Sequence, residues 1–178
     1  MANVLTDPPF AADPPVKINV SARILGLVIG ILAAIGAIFT LFVGGLFSVF
    51  SFGVGSASLW LIGVLVGLAG EIFGAVGGFQ MYNLNRNGKN LVIYGLALGL
   101  LSALVVLIGQ LIAYSGLLAY TAGGAVFALI FDAIIYGIIY YLVVISRFPG
   151  DAPLVPSTGG GGYGGGGYGS PPPPPPPA

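Results

Sequence analysis

The chain contains no cysteine and no histidine, and of its 178 residues only five are basic and five acidic. Without cysteine there is no disulfide, no thiol redox chemistry and no thiolate metal ligand. Without histidine the usual ligand of zinc, copper and haem is missing, and a serine or cysteine triad has no base. A net charge of zero excludes the basic surface that grips a phosphate backbone, so nucleic acid is not an expected partner. The expectation is a non-enzymatic protein with no cofactor and no metal.

What the chain has instead is apolar bulk. Hydrophobic residues make up 57% and charged residues 6%, against roughly a quarter charged in an ordinary soluble domain, and the mean hydropathy is +1.04. Such a chain is solvated by lipid rather than water. Four apolar runs, 24–47, 57–82, 91–114 and 119–145, each exceed the roughly 20 helical residues that cross a 30 Å hydrocarbon core. They predict an all-α integral membrane protein with a four-helix transmembrane domain over 24–147. A proline-rich arm (1–23) precedes it and a disordered Gly/Tyr/Pro-rich tail (148–178) follows. The first run is too long for the apolar region of a cleaved signal peptide and is preceded by some twenty polar or proline-rich residues, so it is expected to remain as an anchor.

Cytoplasmic flanks of membrane helices are enriched in Lys and Arg. Lys17 and Arg23 precede the first run, Arg86 and Lys89 lie between the second and third, and Arg147 follows the fourth. All five fall on one side of a four-crossing topology, which predicts both termini in the cytoplasm. Aromatic residues fit the same layout, with Phe50, Trp60, Tyr114 and Tyr120 toward the outer boundary and Tyr82, Tyr94, Tyr140 and Tyr141 toward the inner one. The positive-inside bias, short external turns and lack of a glycosylation acceptor in a loop point to a prokaryotic cytoplasmic membrane.

Glycines recur at intervals of 4, 3, 4 and 3 in the second run: Gly63, Gly67, Gly70, Gly74 and Gly77, with Gly78 widening the stripe. Similar small-residue rows appear in the first run (Gly26, Gly30, Ala33, Ala37, Thr40, Gly44) and the third (Gly95, Gly99, Ser102, Val106, Gly109). In lipid the hydrophobic effect does not drive helices together, so small residues that let backbones approach become the interface. An average spacing near 3.5 residues predicts a left-handed bundle. The fourth run continues the rhythm in Thr121, Ala125 and Ala128, and the next position is Asp132.

Glu71 is the other intramembrane acid. At 100° per residue it lies about 20° from Gly78 and about 40° from Gly67, which turns it toward a neighbouring helix. It stands fifteen residues from Arg86, and Asp132 stands fifteen from Arg147, so both acids sit about 22 Å from the inner anchors, near mid-membrane. A charge there is costly and usually functional. Three roles fit. The acids can be neutral hydrogen-bond donors to each other, to Tyr136, to Ser102 or to backbone carbonyls. They can form a proton or cation site. They can await the cation of a membrane-protein partner or of a second copy.

The tail holds Tyr163 and Tyr168 in a glycine linker, then seven prolines from Pro171 to Pro177, a polyproline rod of about 20 Å. Such a rod on a flexible tether is what aromatic grooves of polyproline-binding domains recognise. In the arm, DPPFAADPP predicts extended polyproline II structure. The expected function is an interaction or accessory component of a membrane complex, partnered by the lipid bilayer, another membrane protein or its own copies, and a cytoplasmic polyproline reader. The alternative is a proton- or cation-handling protein using Glu71 and Asp132.

Overall fold

The computed structural model describes residues 5–6, 8–11, 13–44, 57–113 and 118–151. Residues 45–47 and 114 of the predicted helices, Phe50, and the tail residues Tyr163, Tyr168, Pro171 and Pro177 lie outside the described residues. Four helices carry the fold: α1 (Ala22–Phe39), which runs on as a π-helical turn over Thr40–Gly44, α2 (Ala57–Tyr82), α3 (Asn87–Ala113) and α4 (Leu118–Ile145). Each contains a stretch long and apolar enough to cross a membrane, and the chain is an integral membrane protein. Among the described residues no strand forms, and Ser21 and Arg147 make one isolated bridge.

The four-residue turn between α2 and α3 shows why the third helix starts at Asn87 and not at 91. Leu84 takes a left-handed backbone (φ 62°). Its N–H bonds the Met81 carbonyl at 3.0 Å and the Asn85 N–H bonds the Gln80 carbonyl at 2.9 Å, the paired closure of a Schellman end. The Asn85 side chain then accepts the Asn87 N–H at 3.0 Å, satisfying a donor at the start of α3. The polar segment NGKN is thereby helical, which a reading by apolar content alone misses.

The helices pack in chain order, α1 on α2, α2 on α3 and α3 on α4, while α1 and α4 touch only sparsely. The glycine row of α2 serves two seams rather than one. On one edge, Gly78 packs on the backbone of Gly30, Gly74 lies against Ala33, and a methyl at Gly26 would sit 2.5 Å from the Met81 Cβ. On the other, a methyl at Gly70 would lie 2.8 Å from the Gly95 carbonyl oxygen and one at Gly63 would lie 2.6 Å from Val106 Cγ2. Real Cβ atoms do not approach so closely, so α2 meets both neighbours backbone to backbone.

The rhythm does not extend to α4. Ala128 is exposed, and methyls at Gly123, Gly124 and Gly137 would meet nothing within 4 Å. The expected fourth seam is corrected at Ala128: α4 leans on α3 and touches α1 only sparsely, and none of these four positions makes a close approach, while the side chains of Thr121 and Ala125 lie outside the described residues.

α4 is instead tied down at the end of the bundle that carries the α2–α3 turn. Ala22, Met81, Val92, Ile93, Val143, Val144 and Phe148 form a buried cluster there. Arg147 donates its N–H to the Val20 carbonyl (2.8 Å) and accepts from the Ala22 N–H (2.9 Å). Lys89 Nζ donates to the Ser146 carbonyl at 2.5 Å and the Val144 carbonyl at 3.3 Å, a cation placed on the carbonyl end of α4, where the helix dipole favours it. Arg86 pairs with Asp151 at 2.6 Å, and Arg23 lies over the Tyr82 ring at 5.0 Å. The arm closes this collar. Phe10 stacks on Tyr141, Tyr141 donates its hydroxyl to the Val16 carbonyl (2.8 Å), Tyr140 donates to the Leu5 carbonyl (2.8 Å), and Pro14 is buried. Where extended polyproline structure was expected, Pro9–Ala11 forms a 3-10 turn that sets Phe10 on these tyrosines.

Candidate functional site

The four helices enclose a cavity of about 610 Å³ to which each contributes, and Val92 of the buried cluster borders it on the collar side. Its walls are mostly aliphatic and aromatic. Glu71 from α2, with Asp132 and Tyr136 from α4, all line it. None of the five Lys and Arg residues does.

Each polar side chain is positioned by a local packing device. Glu71 stands on the α1-facing edge of α2, in line with Gly74 and Gly78. A methyl at Gly36 would come within 3.0 Å of Glu71 Oε1 and 3.3 Å of the carboxyl carbon, so the bare Cα of Gly36 makes room for the carboxyl. Thr40, the first residue of the π-helical turn, donates its hydroxyl to Oε1 at 2.9 Å. Such turns often mark functional positions within helices. The other oxygen, Oε2, is buried and has no hydrogen-bond partner among the described residues.

Tyr136 is one helical turn beyond Asp132 on α4. Its ring occupies the space in front of Gly99, where a methyl would lie 2.8 Å from Cε2 and 3.1 Å from the hydroxyl oxygen. Gly99 thus serves as a seat for the aromatic ring, through which α4 leans on α3. Tyr136, Asp132 and Glu71 share the cavity wall. Asp132 itself is half-buried at the cavity wall.

The sequence left the hydrogen-bond partners of the acids open among each other, Tyr136, Ser102 and backbone carbonyls. The partner found for Glu71 is Thr40, which belonged to the small-residue row of the first run but was not paired with an acid. Ser102 is engaged elsewhere: its hydroxyl donates to the Gly63 carbonyl at 2.7 Å in the α2–α3 seam, where Gly67 leaves room for it. Trp60, expected at a lipid boundary, lines the cavity. The predicted glycines fall on the two seams, Gly26, Gly30, Gly74 and Gly78 on α1–α2 and Gly63, Gly67, Gly70 and Gly95 on α2–α3, while Gly99 seats Tyr136.

The arrangement can present two carboxyls and a phenol to a group held between four helices, in surroundings where charge is poorly screened. Among the described residues no cluster of three or more potential ligands from His, Cys, Asp and Glu is present to hold a metal ion. Fold and site together define a small polytopic membrane protein with an acid-bearing cavity between its helices. No protein-family model, no curated protein and no solved structure matches the chain.

Proposed function

We propose that this protein handles a cation within the membrane, through Glu71 and Asp132. The observation that carries the proposal is that both acids line one cavity into which no Lys or Arg of the chain reaches. An isolated carboxylate in apolar surroundings is costly, and an opposite charge supplied by a bound species offsets that cost. The role is one of binding or passage rather than catalysis. The dense positive charge of the collar, with Lys17, Arg23, Arg86, Lys89 and Arg147 in or beside it, supports placing both termini in the cytoplasm. The 3.5-residue glycine spacing supports a left-handed bundle, and the prokaryotic cytoplasmic membrane rests on the charge bias and the short outer turns.

A second reading, an accessory component of a membrane complex, is favoured by one feature: α1 and α4 leave a lateral gap that a partner's helix could enter. The proline-rich tail would then serve cytoplasmic docking.

The first reading is tested with dicyclohexylcarbodiimide, a membrane-soluble reagent that modifies carboxyls in apolar surroundings. In lipid nanodiscs, labelling of the wild type is expected at Glu71 or Asp132 and is expected to be slowed by at least one of sodium, potassium, ammonium or an alkylammonium. Glu71→Gln and Asp132→Asn remove the respective label. Labelling that no cation slows overturns the reading. Co-purification of a stoichiometric membrane partner, lost when the cavity is narrowed by Ala103→Phe, would favour the second.

A further inference from the structure

Four observations bear on what the cavity takes, and the inference rests on the cation reading above. The first is size. At about 610 Å³ the cavity falls in the range of roughly 300–1,000 Å³ that holds organic ligands, far above the approximately 30 Å³ of one water or a comparable bare ion. The second is its surface: Ile29, Leu32, Phe39, Val64, Leu96 and Ile139 bring aliphatic and aromatic groups into the wall, which suits a hydrocarbon portion and not a hydrated ion.

The third is access. The collar end is closed by the buried cluster around Met81, Ile93 and Val143, whereas α1 and α4 barely touch above it. Both helices line the cavity while making few contacts with each other, so the side between them, which a bilayer would face, is the route assigned to the entrant. The fourth is chemistry. Glu71 and Asp132 both line the cavity with no Lys or Arg beside them, and the single hydrogen bond found for the Glu71 carboxyl among the described residues is the one from Thr40. The missing partner is a positively charged group with N–H bonds to give.

We infer that the cavity binds an amphipathic primary ammonium, a long-chain amine that enters sideways from the lipid between α1 and α4 and sets its charged head between Glu71 and Asp132. Its apolar portion lies along the aliphatic wall. A quaternary ammonium of equal length binds less well, because it carries the charge but has no hydrogen to donate to the two carboxyls.

The chain has a single tryptophan, Trp60, and it lines the cavity, so its fluorescence reports occupancy. Wild-type protein in nanodiscs is titrated with bromododecylamine, whose bromine quenches indole emission on contact, with bromododecanol and bromododecyl-trimethylammonium as comparisons. Saturable quenching by the amine is expected, weakened about tenfold or more in Glu71→Gln and in Asp132→Asn. Ala103→Phe, which adds a ring at the cavity wall and leaves both acids in the sequence, is expected to abolish it while the collar stays folded. Equal quenching by amine and alcohol, or quenching unchanged in all three variants, shows partition into lipid only and overturns the inference. If sodium or potassium slows carbodiimide labelling but the amine gives no saturable quenching, the cation reading stands and the amine inference is lost. If no cation, the amine included, slows labelling, both are lost. A tightly held partner helix that excludes the amine also overturns it.

Discussion

The Thr40 hydroxyl reaches Oε1 of Glu71 across the α1–α2 interface at 2.9 Å, and this is the hydrogen bond that fixes which way the carboxyl points. Replacing Thr40 by valine keeps the branched shape and removes the donor. Both carboxyl oxygens are then unpartnered. Hydrogen bonds between membrane helices average about 0.6 kcal/mol with a maximum near 1.7, so Thr40→Val is expected to destabilise the bundle by about 1 kcal/mol in detergent unfolding. A double-mutant cycle with Glu71→Leu is expected to return most of that value as coupling; no coupling would mean that the bond does not orient the acid.

The two seams of α2 and the open environment of α4 make opposite demands on glycine. Gly78→Ala drives a methyl into the Gly30 backbone and is expected to cost about 2–3 kcal/mol, as overpacking does where backbone cannot yield. Gly137→Ala meets nothing within 4 Å and is expected to be neutral within about 0.5 kcal/mol or slightly stabilising. Paired unfolding curves of the two variants are the check, and equal losses would contradict the open environment at Gly137.

Leu84 carries a side chain at the left-handed position that closes α2. Left-handed backbone costs a non-glycine residue about 1 kcal/mol or more, and glycine is the usual occupant of this position. Leu84→Gly is therefore expected to raise stability by about 1 kcal/mol, read as a higher unfolding midpoint. A lower midpoint would show that the exposed leucine makes contacts worth more than the strain.

Asp151 accepts the Phe148 N–H at 2.9 Å and pairs with Arg86. The backbone bond from Phe148 is the largest influence, burial opposes it as the second, and with Arg86 and Lys89 adding to the first the carboxyl is held below the ordinary aspartate range. Because the folded value lies below the unfolded one near 3.9, the contribution is complete above about pH 4 and is lost as pH falls through the folded value. The protection of the Phe148 amide relative to its intrinsic exchange rate is expected to fall only in that acidic window in the wild type, and to be reduced already at neutral pH in Asp151→Ala.

How much of this was legible depends on what each residue reports. α2 was read residue for residue, because its apolar run ends where polar Asn83 and Asn85 begin. α3 was read four residues late because Asn87 to Asn90 are polar yet held helical by the Asn85 cap and by Lys89 on the α4 carbonyls. Glycine reports that something approaches closely but not what, so the row in α2 was seen while its division between two neighbours was not. Membrane helices are apolar all round, which leaves hydropathy unable to say that α4 turns Ala128 outward. The pairing of Thr40 with Glu71 depends on the relative rotation of two helices and on a widened turn for which the residues Thr40–Gly44 give no separate sign.

The Tyr141 hydroxyl meets the backbone of Val16 across a sequence separation of 125 residues, whereas the α2–α3 seam joins helices separated by one short turn. Synthesis therefore yields the central hairpin early and the collar only after residue 141 has emerged to clasp an arm made long before. Until then Phe10 of the arm lacks the two tyrosine rings it packs on, and Val16 lacks the hydroxyl that holds it. α4 is the latch of the molecule, and its arrival ties the arm to the hairpin that preceded it.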